Sequence, residues 1–459
     1  MREKKDDARK LAYDMLLEVL EHGGYSNLVM KQKMKDVELD ARDRALATAV
    51  FYGTITRIYL LDYVLAPILS KPIAKLDGEI RTILRMGAWQ ILFSTSIPSY
   101  AAVTSSVSLA KSISNRGGDA TVNAVLRKLA AQYPNGIDDD CKFTMDIACS
   151  VKKEIAGIFV KGYGKSKAAS ILQALLEAPT ICVRKNPLSL DEKTFIDALA
   201  SENIIAKPTG ILPYAYWIDL PGGGIEMTRA YKEGLFMVQS ISAMFVSHLA
   251  SPAAHDRVLD VCGAPGGKTC HMAALMQDQG TIDCIDISEI RLRLVEEHAA
   301  RLGFHSISTR ACDATTIETN SSIEEKSYDV VITDVPCSGL GLLHKKPDIR
   351  LTMDYDTIMT LLPIQAQILE AASSKVKEGG VLMYSTCTVN PSENEKQIAA
   401  FLEKHTDFER VALTSLLPDF LLDIPRIRES ATNGEMTLLP DEFPCDGFYM
   451  AKLRRKTNG

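Results

Sequence analysis

The last two hundred residues alternate short apolar runs with segments of helical periodicity, and this pattern constrains the fold most. The predicted strands are 257–261, 280–285, 306–310, 329–333 and 380–385, followed by 448–453 near the end of the chain. Helical stretches such as 268–277 and 289–303 separate the first of these runs. Strands that alternate with helices imply βαβ crossovers, so we expect a doubly wound α/β domain with a mostly parallel sheet.

The first third of the chain shows helical spacing and no β alternation. Apolar residues recur with a helical period in 8–20, 43–52, 57–69, 79–93, 103–113 and 120–131. An all-α domain is therefore predicted for residues 1–140. Residues 141–235 continue with more helix and then a small α/β unit, and the larger α/β domain occupies 236–459. Three domains agree with a length of 459 residues at about 150 residues per domain.

Charge is distributed unevenly along the chain. The whole chain has a net charge of −6, but residues 1–130 hold 19 Lys and Arg against 14 Asp and Glu. A basic docking module on an acidic body is one interpretation, and chance variation among solvated faces is the other. No apolar stretch reaches the eighteen or so residues that span a bilayer, and the N-terminus is a mixed-charge run. We expect a cytoplasmic protein without membrane contact, whose ten cysteines are thiols.

A glycine-rich turn follows the first strand of the α/β domain. Its residues are Cys262, Gly263, Ala264, Pro265, Gly266, Gly267 and Lys268. A triphosphate-binding P-loop needs glycine where Cys262 stands, and the Ala264-Pro265 pair breaks the dinucleotide-binding spacing. The turn is then either a simple strand-to-helix connection or a place where backbone approaches a small nucleoside-like ligand. Three glycines and a proline favour the ligand.

Acidic residues follow the next two strands, where ligands bind in sheets of this kind. Asp286 is placed to accept hydrogen bonds from both hydroxyls of a ribose, and Asp313 is placed to meet an adenine edge. Carboxylates repel phosphates but tolerate a sulfonium, so the predicted cofactor is S-adenosylmethionine. Arg291 and Asp334 complete the predicted cofactor-binding set.

Two cysteines follow the fourth and fifth strands. Cys337 lies in Asp-Val-Pro-Cys-Ser-Gly-Leu-Gly, and Cys387 lies in Ser-Thr-Cys-Thr-Val-Asn-Pro. A buried bystander is the usual interpretation of one cysteine, but two at neighbouring strand ends indicate chemistry. Neither belongs to a C-x-x-C pair and His344 is the only histidine nearby, so no metal site is predicted.

These motifs closely resemble those of the RNA cytosine-C5 methyltransferases of the Nol1/Nop2/Sun type. The helical first third, with Val-Asn-Ala-Val-Leu-Arg at 122–127, looks like a NusB-type RNA-binding domain. The combination resembles the bacterial members that act on small-subunit (16S) ribosomal RNA. It implies a NusB-like N-terminal domain, an RRM-like middle unit and a Rossmann-like methyltransferase domain. The chain departs from the family pattern at Gly263, Val335, His344 and Leu351.

The resemblance also implies roles for single residues. Cys387 is the implied nucleophile that adds to C6 of cytosine, which makes C5 able to attack the methyl group. Asp334 is the candidate for hydrogen bonding or protonation at N3, and Cys337 is the implied base that removes the C5 proton. Lys268 either favours the thiolate electrostatically or is a solvated lysine of the first helical turn.

Other functions stay open at this point. The chain is alternatively an inactive RNA-binding assembly factor, or an enzyme of the same chemistry that acts on transfer RNA or another ribosomal site. Arg184 and Asn186 are expected to follow the RNA backbone, unless they lie in a solvated loop. We expect a monomer.

Overall fold

The computed structural model describes residues 2–35, 37–113, 118–137, 142–220, 224–319, 323 and 325–457. The chain forms two compact units. The first contains 1–178 and 343–354, and the second contains 179–342 and 355–459. No helix in the described part combines the length and the apolar content that a bilayer crossing needs. The predicted domain boundary between residues 140 and 141 lies within 138–141, outside the described residues.

The first unit is helical, as the sequence predicts. Its helices are α1 (Arg2–His22), α2 (Ser26–Lys35), α3 (Ala41–Thr56), α4 (Ile58–Leu65), α5 (Gly78–Phe93), α6 (Ser99–Ile113), α7 (Gly118–Gln132), α8 (Met145–Ala148), α9 (Lys153–Tyr163) and α10 (Lys165–Ala174). One core joins α1 with α3 to α7 through buried side chains such as Leu16, Phe51, Leu84 and Leu126. These residues recur at helical spacing in the sequence because each helix presents one apolar face to this core.

The second unit begins with a small antiparallel sheet. Its strands are β1 (Ile181–Lys185), β2 (Ile205–Pro208), β3 (Ala215–Asp219) and β4 (Phe236–Val238), in the order β2-β3-β1-β4. The helices α11 (Glu192–Ala200) and α12 (Arg229–Lys232) follow β1 and β3 along the chain. A core around Phe195 and Tyr216 joins α11 to the sheet. The small α/β unit is therefore present, and its likeness to an RRM stays a prediction.

A large mixed sheet forms the rest of the second unit. Its strands are β5 (Arg257–Asp260), β6 (Thr281–Asp286), β7 (Ile307–Ala311), β8 (Tyr328–Asp334), β9 (Val376–Thr386), β10 (Phe408–Arg410), β11 (Glu435–Leu438) and β12 (Phe448–Arg455). The order is β10-β12-β9-β8-β5-β6-β7, with β11 also paired to β12. Strands β5 to β9 are parallel, and β12 runs antiparallel to β9.

The remaining helices of the second unit lie before or between these strands along the chain. They are α13 (Ile241–Ala250), α14 (Gly267–Leu275), α15 (Glu289–Leu302) and, after α16 (Ile349–Thr352) of the first unit, α17 (Tyr355–Ser373), α18 (Glu395–Lys404), α19 (Asp419–Leu422) and α20 (Pro425–Thr432). The strands β10 and β11 are absent from the sequence prediction because runs of three or four residues carry too little periodicity.

The segment 343–354 belongs to the helical unit although its neighbours in sequence belong to the other one. The Arg350 side chain is 2% exposed and donates to the carbonyl oxygens of Cys149, Ser150 and Leu175. Burial, together with nearby Arg57, lowers the pKa of Arg350 to about 9. The segment is thus held by a buried cation bound to backbone oxygens.

Candidate active site

The glycine-rich turn connects the end of β5 to the start of α14. Gly266 has a φ of +99°, which side-chain-bearing residues rarely adopt. At Gly263, a Cβ atom would lie 2.4 Å from the Cys284 Sγ. Cys284 therefore explains why glycine stands here instead of the family's alanine. Burial raises the pKa of the Cys262 thiol well above its usual range, and the acids Asp260 and Asp334 add to this effect.

Asp286 and Arg291 form one connected group beside this turn. The Asp286 side chain is 4% exposed, and its Oδ1 accepts the Ser288 backbone N–H at 3.0 Å. Arg291 Nη1 lies 3.4 Å from the same carboxylate, while its Nη2 donates to the Ala264 carbonyl oxygen. Arg291 therefore ties the end of β6 to the glycine-rich turn.

Asp313 lies after the neighbouring strand β7 and is exposed. Its Oδ1 accepts the backbone N–H of Thr315 at 2.9 Å and the Thr315 hydroxyl at 2.7 Å. Because Asp286 at the end of β6 pairs with Ala311 of β7, both acids lie at the same edge of the sheet. Ile287, which follows Asp286, is 73% exposed and offers an apolar surface at that edge.

Lys268 and Asp334 are directly paired. Lys268 Nζ donates to Asp334 Oδ2 at 2.6 Å, and the Ser385 hydroxyl donates to Asp334 Oδ1 at 2.8 Å. Burial favours the neutral amine, but the charge and hydrogen bond of Asp334 outweigh it and raise the pKa of Lys268. Lys268 is thus a paired cation within the site and not a solvated lysine.

The two cysteines meet at the ends of neighbouring strands. The Sγ atoms of Cys337, after β8, and Cys387, after β9, lie 3.2 Å apart. The backbone N–H of Gly341 donates to the Cys387 carbonyl oxygen at 3.1 Å, which joins the two loops again. Parallel pairing of β8 with β9 brings these residues together across fifty positions of sequence.

Several neighbouring groups keep the thiol of Cys337 protonated. Its hydrogen bond with Cys387, its burial and the negative charges of Cys387, Glu393 and Asp334 raise the pKa of Cys337 well above the usual range. The arrangement therefore places a protonated thiol 3.2 Å from a second sulfur, that of Cys387.

Asp260 is a site residue that the sequence analysis did not select. It ends β5, is fully buried, and its Oδ2 accepts the Thr269 hydroxyl at 2.8 Å. Its Oδ1 has no partner among the described residues. Burial raises the pKa of Asp260 to about 6, against the lowering effects of Thr269 and Lys268. The sequence did offer a signal for this site residue, which is an acid at the end of the strand that leads into the glycine-rich turn.

The prediction that Arg184 and Asn186 follow RNA is wrong. Arg184 is 2% exposed and donates to Gln239 Oε1 at 2.9 Å. Asn186 is 4% exposed and donates to the carbonyl oxygens of Gly234 and Leu302. Asn186 ties the small sheet to the end of α15 through these two backbone oxygens, while Arg184 binds a side-chain amide oxygen beside the small sheet.

Similarity to known proteins gives the family. The family model described as 16S rRNA methyltransferase RsmB/F matches residues 247–454, and the NusB family model matches residues 6–131. A Bacillus subtilis protein described as a probable ribosomal RNA small subunit methyltransferase B is 32% identical over 456 residues, which cover 99% of this chain and 100% of that protein. The chain belongs to the RsmB/F family of 16S rRNA methyltransferases.

Solved structures share the fold of this RsmB/F family member. The crystal structure of PH0851 has a TM-score of 0.79 and 24% identity, and the match covers 97% of this chain and 98% of that one. The structure of NSun6 from Pyrococcus horikoshii with SFG has a TM-score of 0.57 and 20% identity, with 67% and 99% coverage. The NusB-like N-terminal domain and the methyltransferase domain with its mixed sheet are thereby confirmed.

The residues at the sheet edge fit a nucleoside that carries a sulfonium. The carboxylates of Asp260, Asp286, Asp313 and Asp334 lie at or just after the ends of four parallel strands of the sheet. The described part of the chain holds no group of His, Cys, Asp and Glu arranged for a metal ion. An acidic rim of this kind opposes phosphate groups and favours a positive charge. The exposed apolar side chain of Ile287 adds a surface suited to a flat base.

Proposed function

We propose that this protein transfers a methyl group from S-adenosylmethionine to C5 of a cytosine in 16S ribosomal RNA. The single observation that carries this proposal is the pair of thiols, Cys337 and Cys387, 3.2 Å apart at one edge of the sheet, within the segment that the family model matches. Methylation of C5 needs a nucleophile and a base, because one thiol must add to C6 and a second group must later remove the C5 proton.

The cofactor-binding residues are the turn Cys262–Lys268 together with Asp286, Arg291, Asp313 and Asp334. Asp286 accepts the ribose hydroxyls, while Arg291 holds Asp286 and the turn in one arrangement. Asp313 meets the adenine edge. When bound, S-adenosylmethionine supplies an electrophilic methyl group on its sulfonium.

Addition to the base begins at Cys387. Its thiolate forms a bond to C6, and the electrons of the C5–C6 double bond make C5 nucleophilic. Asp334, which accepts a hydrogen bond from Lys268, passes a proton from that lysine to N3 as the C6–S bond forms. Lys268 and Ser385 keep this carboxylate in position. C5 then takes the methyl group as the bond between that methyl group and the cofactor's sulfur breaks, and the N3 proton returns to the Asp334–Lys268 pair.

Elimination needs a base, and we assign this role to Cys337, whose sulfur lies 3.2 Å from that of Cys387. The hydrogen bond and charge of Cys387 raise the pKa of Cys337, and both vanish when Cys387 bonds to C6. Cys337 then ionises more easily and takes the C5 proton. The electrons of the C5–H bond restore the C5–C6 double bond, the C6–S bond breaks, and Cys387 leaves as a thiolate.

RNA binding and location follow as further parts of the proposal. We assign the NusB-like domain to 1–140, a helical linker plus the small RRM-like RNA-binding unit to 141–235 and the methyltransferase domain to 236–459. The protein acts as a cytoplasmic monomer on ribosomal RNA. The basic balance of the first 130 residues supports phosphate contacts there.

The chemistry is tested with purified protein, 16S ribosomal RNA and S-adenosylmethionine. The wild-type protein should produce 5-methylcytosine. Cys387→Ala should be inactive and should form no protein–RNA species that survives denaturation, whereas Cys337→Ala should stall with RNA attached through Cys387. Cys149→Ala, at a thiol of the first unit, is the matched control and should behave as wild type.

Two results would change the assignment. An adduct in Cys387→Ala but not in Cys337→Ala would exchange the roles of the two thiols. Absence of 5-methylcytosine with ribosomal RNA, together with product on transfer RNA, would keep the chemistry and change the substrate. A wild-type protein that binds RNA but no S-adenosylmethionine would instead be an assembly factor.

RNA binding by the helical unit is tested by charge reversal. Arg127 and Lys128 are exposed on α7, and their replacement by Glu should weaken RNA binding and reduce its salt dependence. Each lost phosphate contact lowers the slope of log K against log salt by about 0.7 to 0.9. Lys404→Glu, at an exposed position of α18, is the control. An unaltered slope would show that the excess of Lys and Arg in the first 130 residues does not contact RNA phosphates.

A further inference from the structure

A fully buried carboxylate lies behind the two thiols and contacts both of their loops. Glu393 has no exposed surface and stands in the turn before α18. Its Oε1 accepts the Ser338 backbone N–H at 2.8 Å and the Gln365 side-chain N–H at 3.0 Å. Its Oε2 accepts the Ser338 hydroxyl at 2.6 Å, the Asn390 side-chain N–H at 3.0 Å and the Thr388 hydroxyl at 3.3 Å.

These five donors belong to three parts of the chain. Ser338 directly follows Cys337, and Thr388 directly follows Cys387. Gln365 lies on α17 and also donates to the Pro336 carbonyl oxygen at 3.0 Å, on the other side of Cys337. One carboxylate therefore fixes the backbone on both sides of Cys337 and reaches the residue after Cys387.

The two loops do not depend on Glu393 equally. The Cys387 loop has separate support from Asn394, which donates to the Thr388 carbonyl oxygen at 3.0 Å and accepts the Thr386 hydroxyl at 2.6 Å. Two of the five donors to Glu393 come from Ser338 in the Cys337 loop and two from Thr388 and Asn390 in the Cys387 loop, but only the Ser338 pair includes a backbone N–H, that of the residue directly after Cys337. Loss of the carboxylate should displace Cys337 more than Cys387.

We propose that Glu393 is a positioning residue that sets the place of Cys337 relative to Cys387, and so controls the release of the covalent RNA intermediate. The inference rests on the proposed function. It gives Glu393 no contact with substrate. Its effect reaches the reaction through Cys337, which must face the C5 proton after methyl transfer while Cys387 is bonded to C6.

Glu393→Gln is the sharpest perturbation because it keeps the shape and removes acceptor capacity. An amide has one acceptor oxygen and turns its NH₂ group toward neighbours that are themselves donors. The resulting displacement of Cys337 should lower kcat by about 100-fold, the order of effect expected for an ångström of misplacement. Addition through Cys387 should continue, so that RNA-linked protein accumulates as it does in Cys337→Ala.

The experiment measures kcat, the affinity for S-adenosylmethionine and the RNA-shifted band on a denaturing gel. Glu403→Gln, an exposed carboxylate on α18, is the matched control and should equal wild type in all three. Glu393→Gln should keep its cofactor affinity, lose kcat and gain the shifted band. A variant that is merely unstable would lose kcat without gaining the band, and this result would overturn the proposal.

A second variant keeps the test decisive if Glu393→Gln does not fold. Ser338→Ala removes the hydroxyl donor to Oε2, together with the 2.8 Å contact of that hydroxyl with the Thr388 hydroxyl, and should produce the same accumulation to a smaller extent. Wild-type behaviour of both variants would refute the role of Glu393 and leave the methyl transfer intact. If the wild-type protein makes no 5-methylcytosine and Cys337→Ala forms no adduct, the proposed function itself fails.

Discussion

The buried carboxylate of Asp260 makes a specific prediction about stability and pH. Burial raises the pKa of Asp260 to about 6, whereas its ordinary value is 3.8. Below about pH 4 the group is protonated in the folded and the unfolded chain, and its contribution to stability is fully present. As pH rises through 6 the folded chain must hold a buried charge, and the contribution is lost. The difference between the two pKa values corresponds to about 3 kcal/mol.

Asp260→Asn removes the titration and keeps an oxygen that can accept the Thr269 hydroxyl. The free energy of unfolding of the variant, relative to wild type, should therefore increase by about 3 kcal/mol between pH 4 and pH 7. Urea unfolding followed by fluorescence measures this difference. The sequence has two tryptophans, Trp89 in α5 and Trp217 in β3, so a Trp89→Phe background makes the signal specific to the second unit.

Thr269→Val provides a control of opposite sign. The Thr269 hydroxyl favours the charged carboxylate, so its removal should make the wild-type loss of stability with pH larger. The reasoning would be refuted if the unfolding free energies of wild type and Asp260→Asn ran parallel from pH 4 to pH 7. It would also be refuted if the unfolding free energy of Thr269→Val fell less than that of wild type between pH 4 and pH 7.

Three further predictions concern other parts of the molecule. Asp286→Ala should weaken S-adenosylmethionine binding at least tenfold by calorimetry, because it removes the carboxylate that accepts two ribose hydroxyls. A tenfold loss of affinity corresponds to about 1.4 kcal/mol, and unchanged affinity would contradict the site. Gly263→Ala should destabilise the second unit by about 1 to 3 kcal/mol in urea unfolding, and less in a Cys284→Ala background, since the added methyl group meets that sulfur. Arg350→Met should lower the unfolding free energy of the first unit by about 3 kcal/mol, read from Trp89, because three carbonyl oxygens lose their donor; equal stability would contradict this.

The sequence predicted the parts of the fold that depend on local patterns. The parallel strands β6 and β8 are mostly apolar runs that end in an aspartate, and a cysteine follows each of β8 and β9, so the positions of Asp286, Asp334 and both cysteines at one sheet edge followed from the strands alone. The proximity of Cys337 and Cys387 needed one more step, which was that strands β8 and β9 are neighbours. Helical periodicity identified the first unit for the same local reason.

The sequence could not predict contacts that depend on the partner of a polar group. Arg184 and Asn186 look like surface residues because their type is usually exposed, and only the packed structure supplies the buried carbonyl and amide oxygens that they bind. Glu393 reads as one acid among several in a polar turn. Leu351 departs from the family pattern without an evident reason, and the structure shows its side chain packed against the core of the helical unit.

The assignment of 343–354 to the helical unit has a consequence for the order in which the protein is made. A ribosome adds about 5 to 20 residues per second, so the 164 residues from 179 to 342 take roughly 10 to 30 s after Ala178 is complete. During that interval the carbonyl oxygens of Cys149, Ser150 and Leu175 can bond only to water, because Arg350 does not yet exist. The N-terminal unit therefore starts folding first but reaches its final form only after most of the parallel sheet has been synthesised.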